Sequence, residues 1–167
     1  MVQVRVAGVA MDASGQHVIL LKPLDALPGT GVLLPIWIGA QEATSILIAV
    51  EGAEMPRPLA HDLMRSMLTT LGAEVLRVEV TRVDDGTFYA EVTLRAGTTE
   101  HRVDARPSDA VALASRTGSP IWVADDVMNE AGVPDTITAE DEETDAELRM
   151  DEFKEFLENV DPEDFRE

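Results

Sequence analysis

The residues best suited to chemistry lie where the sequence predicts the start of a helix. Asp104, Ser108 and Asp109 crowd the junction between a predicted strand and a predicted helix, in the segment DARPSDAVALA. A carboxylate that folding removes from water needs an arginine, a hydroxyl or a metal ion as its partner. Asp109 also falls in the first helical turn, where the helix dipole alone favours an acid. The cluster therefore indicates either a reactive site or a well-stabilised helix start.

Two arginines, Arg57 and Arg106, each precede a proline and a predicted helix. Backbone N–H groups at a helix start point outward and attract anions such as phosphate. Each arginine could instead pair with a nearby carboxylate, which for Arg106 would be Asp104 or Asp109. The two positions predict phosphate binding, with local ion pairing as the alternative.

His61 and Asp62 are adjacent near the start of another predicted helix. Neighbouring residues on a helix project ~100° apart, which is a poor arrangement for chelating one ion together. His61 could act as a base or ligand with Glu42 or Asp104 from another element, or could be a boundary histidine with one hydrogen bond. The sequence contains no P-loop, dinucleotide fingerprint, HExxH zinc motif or nucleophile elbow.

The composition narrows the class of protein. The chain has 167 residues and a net charge of -19; residues 1–134 carry 17 acids and 10 bases, and residues 135–167 carry 15 acids and 3 bases. This balance repels nucleic acid at long range, because affinity for phosphate backbones normally comes from Lys and Arg. The absence of cysteine excludes disulfides, thiol nucleophiles and thiolate metal sites. With no signal-peptide pattern or membrane-length apolar run, we expect a cytoplasmic protein without membrane contact.

The elements that must position these residues occur in two similar halves. The first half predicts strands at Val2–Ala10, His17–Leu21 and Val32–Ile38, a buried helix at Ala40–Val50 and a second helix from Pro58 to Leu71. That second helix has His61 at the edge of its apolar stripe and Asp62 on its polar side. The stripe consists of Ala60, Leu63, Met64, Met67, Leu68 and Leu71.

The same order returns after Gly72. It predicts strands at Glu74–Val83, Thr87–Ala96 and Thr99–Asp104, a buried helix at Pro107–Arg116, a strand-like Ile121–Val123 and a short helix at Asp125–Ala131. Glu42-Ala43 opens the first buried helix as Asp109-Ala110 opens its counterpart. We therefore predict an α+β fold in which duplicated β3-α2 units form one curved, mainly antiparallel sheet with packed helices.

The segment 135–167 differs in kind from the predicted domain at 1–134. Residues 135–143 have a composition typical of disorder, and Thr144 with Glu147 forms a capping box for a helix through about Val160. One face of that helix is apolar. It could pack on its own body or across a dimer, or it could be an acidic arm that competes with nucleic acid or recruits a basic protein partner.

Taken in order, several motifs resemble the bifunctional nuclease family. They are LPIWIG with Glu42-Ala43, RP with HDL, FYA and, above all, DARPSDAVALA, and they cover roughly residues 2–133. The resemblance implies a compact domain of duplicated strand and helix units, assembly as a homodimer or other homo-oligomer, and degradation of both DNA and RNA. The acidic segment lies outside the resemblance.

Together with that resemblance, the polar residues lead to the hypothesis that the protein is a nuclease. It would use a divalent metal ion and have little sequence preference. The predicted catalytic residues are His61, as base or acid, with Asp62, Asp104, Ser108 and Asp109. The predicted phosphate-binding residues are Arg57 and Arg106. The predicted ligands of Mg²⁺ or Mn²⁺ are Glu42, Asp104 and Asp109.

Two competing hypotheses belong to other functional classes. One is a non-catalytic regulatory or protein-binding module whose acidic tail makes the contacts, which the shortage of basic residues favours. The other is a site for a small anion or phosphorylated metabolite at the two arginine-capped helix starts.

Overall fold

The computed structural model describes residues 1–136, and it confirms the predicted α+β class with eight strands and four helices. The strands are β1 (Val2–Met11), β2 (His17–Pro23), β3 (Val32–Ile38), β4 (Ala73–Asp84), β5 (Thr87–Ala96), β6 (Thr99–Ala105), β7 (Ile121–Val123) and β8 (Val133–Pro134). The helices are α1 (Ala40–Glu51), α2 (Ala60–Thr70), α3 (Pro107–Thr117) and α4 (Asp125–Ala131). The helix predicted for residues 144–160 lies outside the described residues. No helix within residues 1–136 combines the length and the apolar run that crossing a bilayer requires.

One sheet contains all eight described strands, in the order β6-β5-β4-β7-β1-β2-β3-β8. Each half contributes an antiparallel meander of three strands, β1 to β3 and β4 to β6. The short strand β7 lies between the halves, antiparallel to β1 and parallel to β4. The mainly antiparallel sheet is thus confirmed, whereas its curvature and its origin by duplication stay predictions.

The hairpin between β4 and β5 shows why its turn sequence is favourable. Asp85 has φ 47° and Gly86 has φ 75°, so both central residues adopt left-handed backbone conformations. This is the combination that a two-residue hairpin turn requires, and Asp-Gly accommodates it at low cost. The turn brings the tip of this hairpin to one rim of the cleft described below.

The core lies between the sheet and helices α1 and α3. Helix α3 is buried along most of its length, and its alanines allow it to contact α1 closely. Val111 and Ala112 are fully buried. Burying a valine side chain stabilises a fold by about 1.5–3 kcal/mol, and enlarging a packed alanine costs about 1–3 kcal/mol. The core therefore fixes the start of α3, which carries the polar cluster.

Helix α2 differs from its prediction in the face that it buries. The predicted stripe is largely exposed: Leu63 is 54% exposed, Met67 56% and Leu71 78%, whereas His61 is 5% exposed. The helix packs on α3 through polar side chains, because His61 and Asp62 hydrogen bond to residues of α3. The apolar periodicity therefore identifies the apolar face of α2 correctly, but within residues 1–136 that face is mostly exposed.

The start of α2 also differs from the prediction. The helix begins at Ala60 and not at Pro58, because the Asp62 carboxylate accepts a hydrogen bond from the Leu59 backbone N–H and so ends the loop there. Arg57 consequently lies in the preceding loop, not at the helix start. The two Arg-Pro pairs are therefore not equivalent, since Arg106 is the N-cap residue of α3.

Candidate active site

Three helices bring their first turns together. Helix α1 starts after Gly39 and carries Glu42 in its first turn. Helix α3 starts after Arg106 and carries Asp109 in its first turn. Helix α2 places His61 second along its length. Hydrogen bonds and ion pairs join these turns into one polar cluster, which we call the three-helix cluster: Glu42, Ser45, His61, Arg106 and Asp109.

His61 lies between a hydroxyl and a carboxylate. Its Nδ1 is 2.7 Å from Oγ of Ser45, and its Nε2 is 2.9 Å from Oδ1 of Asp109. An ionised carboxylate only accepts hydrogen bonds, so Nε2–H donates to Asp109, and the Ser45 hydroxyl is the hydrogen-bond partner of Nδ1. Both ring nitrogens are therefore engaged, and the buried ring holds the carboxylate in place.

Arg106 links the two acids of the cluster. Its Nε and Nη2 donate to Oδ2 and Oδ1 of Asp109 at 2.7 and 3.2 Å, a bidentate arrangement. Its Nη2 also lies 2.9 Å from Oε1 of Glu42. The Arg106 side chain is 66% exposed, whereas the side chains of Glu42 and Asp109 are 18% and 27% exposed. Arg106 is thus the member of the cluster that incoming ligands can reach.

Gly39 leaves the space that the Glu42 carboxylate occupies. A Cβ at residue 39 would lie 2.2 Å from Oε2 of Glu42, which is much closer than non-bonded atoms approach. A side chain there would displace the carboxylate from the start of α1. The glycine that ends β3 therefore also helps to place Glu42 beside Arg106.

The charges around Asp109 set its protonation. Burial alone would raise the pKa of this carboxyl, but hydrogen bonds from Arg106 and His61 outweigh burial and hold the pKa below its ordinary value. The same contact with Asp109 raises the pKa of Arg106. The pair is accordingly fully charged near neutral pH, and Asp109 remains a weak base while Arg106 is bound to it.

Ser45 belongs to the three-helix cluster but is not among the site residues predicted from the sequence. It lies on α1 three residues after Glu42, so both residues lie on one side of the helix. This spacing, together with a hydroxyl on the buried side of α1, is the signal that could have identified it. Ser45 is 6% exposed and serves His61, not solvent.

Asp62 points away from His61, as their adjacency predicts. Its Oδ2 accepts from the Leu59 N–H at 2.9 Å, and its Oδ1 accepts from Nε of Arg116 at 2.8 Å. Burial raises the pKa of Asp62, but these hydrogen bonds and the positive charge of Arg116 bring it below the ordinary value. Asp62 thus caps α2 and joins it to the end of α3.

A cleft of about 720 Å³ opens beside Arg106, between the tips of two hairpins. Its walls come from the β1–β2 turn, the β4–β5 turn, the end of β3 and the start of α3. Trp37 is 54% exposed on this wall, and its Nε1 donates to Asp12 at 2.9 Å. Phe88 and the buried Ser108 also line the cleft. The cleft lies where the two halves meet, and it offers a cation together with aromatic side chains.

The remaining predicted residues lie elsewhere. Arg57 is exposed in the loop before α2, and Asp104 is exposed on β6 opposite Glu91. The predicted metal trio is therefore not assembled: the Arg106 guanidinium bridges Glu42 and Asp109, and Asp104 has no contact with them among the hydrogen bonds and ion pairs of residues 1–136. The described part of the chain contains no group of three or more His, Asp or Glu placed to hold a metal ion.

Known proteins share this chain's sequence over different lengths. An uncharacterized protein of Mycobacterium tuberculosis is 41% identical over 170 residues, covering 98% of each chain. The Arabidopsis thaliana protein named Bifunctional nuclease 1 is 32% identical over 115 residues, covering 67% of this chain and 34% of its own length. Bifunctional nuclease 2 of the same plant is 34% identical over 108 residues, covering 63% of this chain and 32% of its own. The chain thus spans about a third of the plant nucleases that it matches.

The family model described as Bifunctional nuclease domain matches residues 24–136. This range contains all five residues of the three-helix cluster and the end of β3 that lines the cleft. The sequence resemblance is therefore confirmed, and the chain belongs to the bifunctional nuclease domain family.

Proposed function

We propose that this protein is a nuclease that hydrolyses phosphodiester bonds of DNA and RNA with little sequence preference. The observation that carries the proposal is Arg106, an exposed guanidinium at the start of a helix, hydrogen bonded to a carboxylate and facing a cleft with aromatic walls. Contacts to phosphate and stacking on bases do not distinguish sequences, and contacts that avoid the 2′-hydroxyl do not distinguish DNA from RNA.

Substrate binding would change the charge around Asp109. A phosphate group that takes Arg106 competes with Asp109 and Glu42 for the same guanidinium nitrogens. Once Arg106 turns to phosphate, Asp109 loses a main cause of its lowered pKa. The carboxylate then becomes a stronger base beside the bound phosphate, where it can accept a proton from the attacking water.

His61 and Ser45 have a positioning role in this scheme. Both nitrogens of His61 are engaged and its side chain is 7% exposed, so it does not meet the attacking water directly. Its Nε2–H instead keeps the Asp109 carboxylate oriented when Arg106 leaves. This reassigns the base predicted for His61 to Asp109, with His61 acting through it.

A divalent ion remains part of the proposal and stays a prediction. Mg²⁺ or Mn²⁺ at such a site would neutralise charge on the phosphate and polarise a water molecule. Because Glu42, Asp104 and Asp109 do not form a ligand set among the described residues, no step of the scheme passes through the metal. Activity in EDTA compared with Mg²⁺ or Mn²⁺ decides the requirement.

The negative charge of the chain opposes the binding of nucleic acid. A nuclease normally carries a basic surface, whereas this chain has a net charge of -19. Stacking of a base on a side chain such as Trp37 contributes about 1–3 kcal/mol without any need for positive charge. We therefore propose single-stranded substrates, whose unpaired bases can reach the aromatic wall of the cleft.

The experiment that tests the function uses the purified full-length protein and labelled single-stranded DNA and RNA. The substrates are incubated with Mg²⁺, Mn²⁺ or EDTA, beside the His61→Ala, Asp104→Asn and Asp109→Asn variants. Degradation of both nucleic acids by the wild type, and its loss in Asp109→Asn, supports the proposal. Equal degradation by all variants indicates either a contaminating nuclease or the wrong catalytic residues. No degradation under any metal condition favours the non-catalytic module.

Self-association is a second part of the proposal. Helix α2 exposes Leu63, Met64, Met67 and Leu71 on one face, each 41% to 78% exposed. Contiguous apolar surface of this kind marks contact sites, and a second copy of the chain presents the same face. We therefore propose a cytoplasmic homodimer or other homo-oligomer that buries this face.

The acidic tail favours one alternative function. With 15 acids and 3 bases in residues 135–167, it suits a basic protein partner or competes with nucleic acid for the cleft. Removing residues 137–167 separates the two roles. Increased cleavage at low salt indicates competition, whereas unchanged cleavage with loss of a basic partner indicates recruitment.

A further inference from the structure

A second cleft, of about 490 Å³, lies beside Asp62, and no residue of the three-helix cluster lines it. It lies between the end of α1, the loop before α2, the first two turns of α2 and the end of α3. Its lining includes Arg57, Arg65 and Arg116, so three of the ten basic residues of residues 1–134 converge here. We call it the arginine cleft.

Arg116 in this cleft is a buried cation whose hydrogen bonding is incomplete. Its side chain is 3% exposed; Nε donates to Asp62 at 2.8 Å and Nη1 to the Ala112 carbonyl at 2.9 Å. Its Nη2 is buried and has no hydrogen-bond partner among the described residues. A buried charged donor without a partner destabilises a fold, so such a group is normally satisfied by a ligand or by water.

Arg57 and Arg65 add positive charge to this cleft without forming an ion pair within residues 1–136, although the charge of Arg65 helps to lower the pKa of Asp62. Most of the other basic residues within 1–134 form ion pairs, whereas these two have no carboxylate partner in the described part of the chain. Arg65 donates only to the Arg116 carbonyl, at 3.2 Å. Among the described residues, two exposed arginines that form no ion pair thus lie beside a third whose buried nitrogen is unsatisfied.

We propose that the arginine cleft binds a phosphate group. Guanidinium groups match the oxygens of phosphate in geometry and charge, and several arginines around one cleft are typical of anion recognition. The oxygen of such a group would satisfy Nη2 of Arg116 and neutralise the charge of Arg57 and Arg65. The group comes either from a small phosphorylated molecule or from the terminal phosphate of an oligonucleotide. The site does not depend on nuclease activity.

The test measures binding, not cleavage. Full-length protein is titrated calorimetrically, at constant ionic strength, with inorganic phosphate, a nucleoside monophosphate and an oligonucleotide with or without a 5′-phosphate. Arg57→Gln and Arg65→Gln should each weaken binding by about tenfold, the effect of one charged hydrogen bond. Both side chains are exposed, so these variants should fold. Arg102→Gln, which removes an exposed arginine on β6, is the matched control.

A direct readout comes from the Arg116 side chain. In a nitrogen–proton NMR spectrum, its Nε–H signal should shift when the phosphate compound is added, and the shift should disappear in Arg65→Gln. Binding of the small compounds assigns the site to a free phosphate or metabolite, and binding of only the 5′-phosphorylated strand assigns it to a strand end. No binding of any probe, or equal binding by wild type and both arginine variants, overturns the proposal and leaves water as the partner of Nη2.

Discussion

Replacing Arg106 by glutamine removes the only exposed cation of the three-helix cluster while keeping an uncharged polar side chain there. The exposed ion pairs of Arg106 contribute only about 0–1 kcal/mol to folding, so the variant should remain folded. A hydrogen bond to a charged group is worth about 1.5–3 kcal/mol. Phosphate must displace Asp109 and Glu42 from Arg106, so we expect the binding energy lost in Arg106→Gln to lie at the lower end of this range. That loss corresponds to about tenfold weaker binding of single-stranded nucleic acid.

The same substitution should change the salt dependence of binding. Each phosphate contact on a single strand contributes about 0.7 to the slope of log affinity against log salt, so the slope should fall by about that amount. Fluorescence anisotropy of a labelled oligonucleotide over a series of salt concentrations, with and without Mg²⁺, measures both quantities. Arg102→Gln has the same charge change on β6 and should match the wild type. Unchanged affinity and slope in Arg106→Gln, or an equal loss in Arg102→Gln, would refute the role of Arg106.

Three further predictions concern stability and assembly. Ser45→Ala should destabilise the fold by about 1–3 kcal/mol in urea unfolding, because it leaves buried Nδ1 of His61 without its hydrogen-bond partner, and its effect should be non-additive with Asp109→Ala. The lowered pKa of Asp109 means that its contribution to stability is complete above the ordinary aspartate range and is lost as the pH falls through the lowered value. The free energy of unfolding of Asp109→Asn should therefore fall less steeply than that of the wild type as the pH is lowered, measured by unfolding at each pH. Met67→Glu should reduce the molar mass measured by light scattering, and a wild type that is already monomeric would contradict the proposed interface.

The strands and helices could be predicted because their signals are local. Alternating strands, the Asp85-Gly86 turn and Pro107 at a helix start each constrain the backbone within a few residues. The sequence predicts β7 only as a strand-like segment and does not predict its position between β1 and β4. That position depends on pairing with residues more than 40 positions away. A strand of three residues is too short to show a sequence pattern that identifies its partners.

The candidate site could be predicted in part for the same reason. Arg106 and Asp109 are three residues apart, so the sequence already predicts an ion pair between them as the alternative to phosphate binding by Arg106. Ser45 and the burial of His61 depend on contacts 16 and 48 residues apart, which helical periodicity does not encode. Asp104 is close to Arg106 in sequence but lies on β6. There it stands opposite Glu91 of β5 and away from the cluster.

The most direct test of the central claim is the cleavage rate of Asp109→Asn relative to two matched variants in the same assay. Asp126→Asn changes an exposed acid of α4 outside the cluster, and Asp104→Asn changes the third predicted metal ligand. We predict that Asp109→Asn loses cleavage of both DNA and RNA by about 10²-fold or more, the usual contribution of a general base, while Asp126→Asn matches the wild type. Loss in Asp104→Asn as well would add a metal ligand to the scheme. Wild-type cleavage by Asp109→Asn would contradict the assignment of the active site to the three-helix cluster.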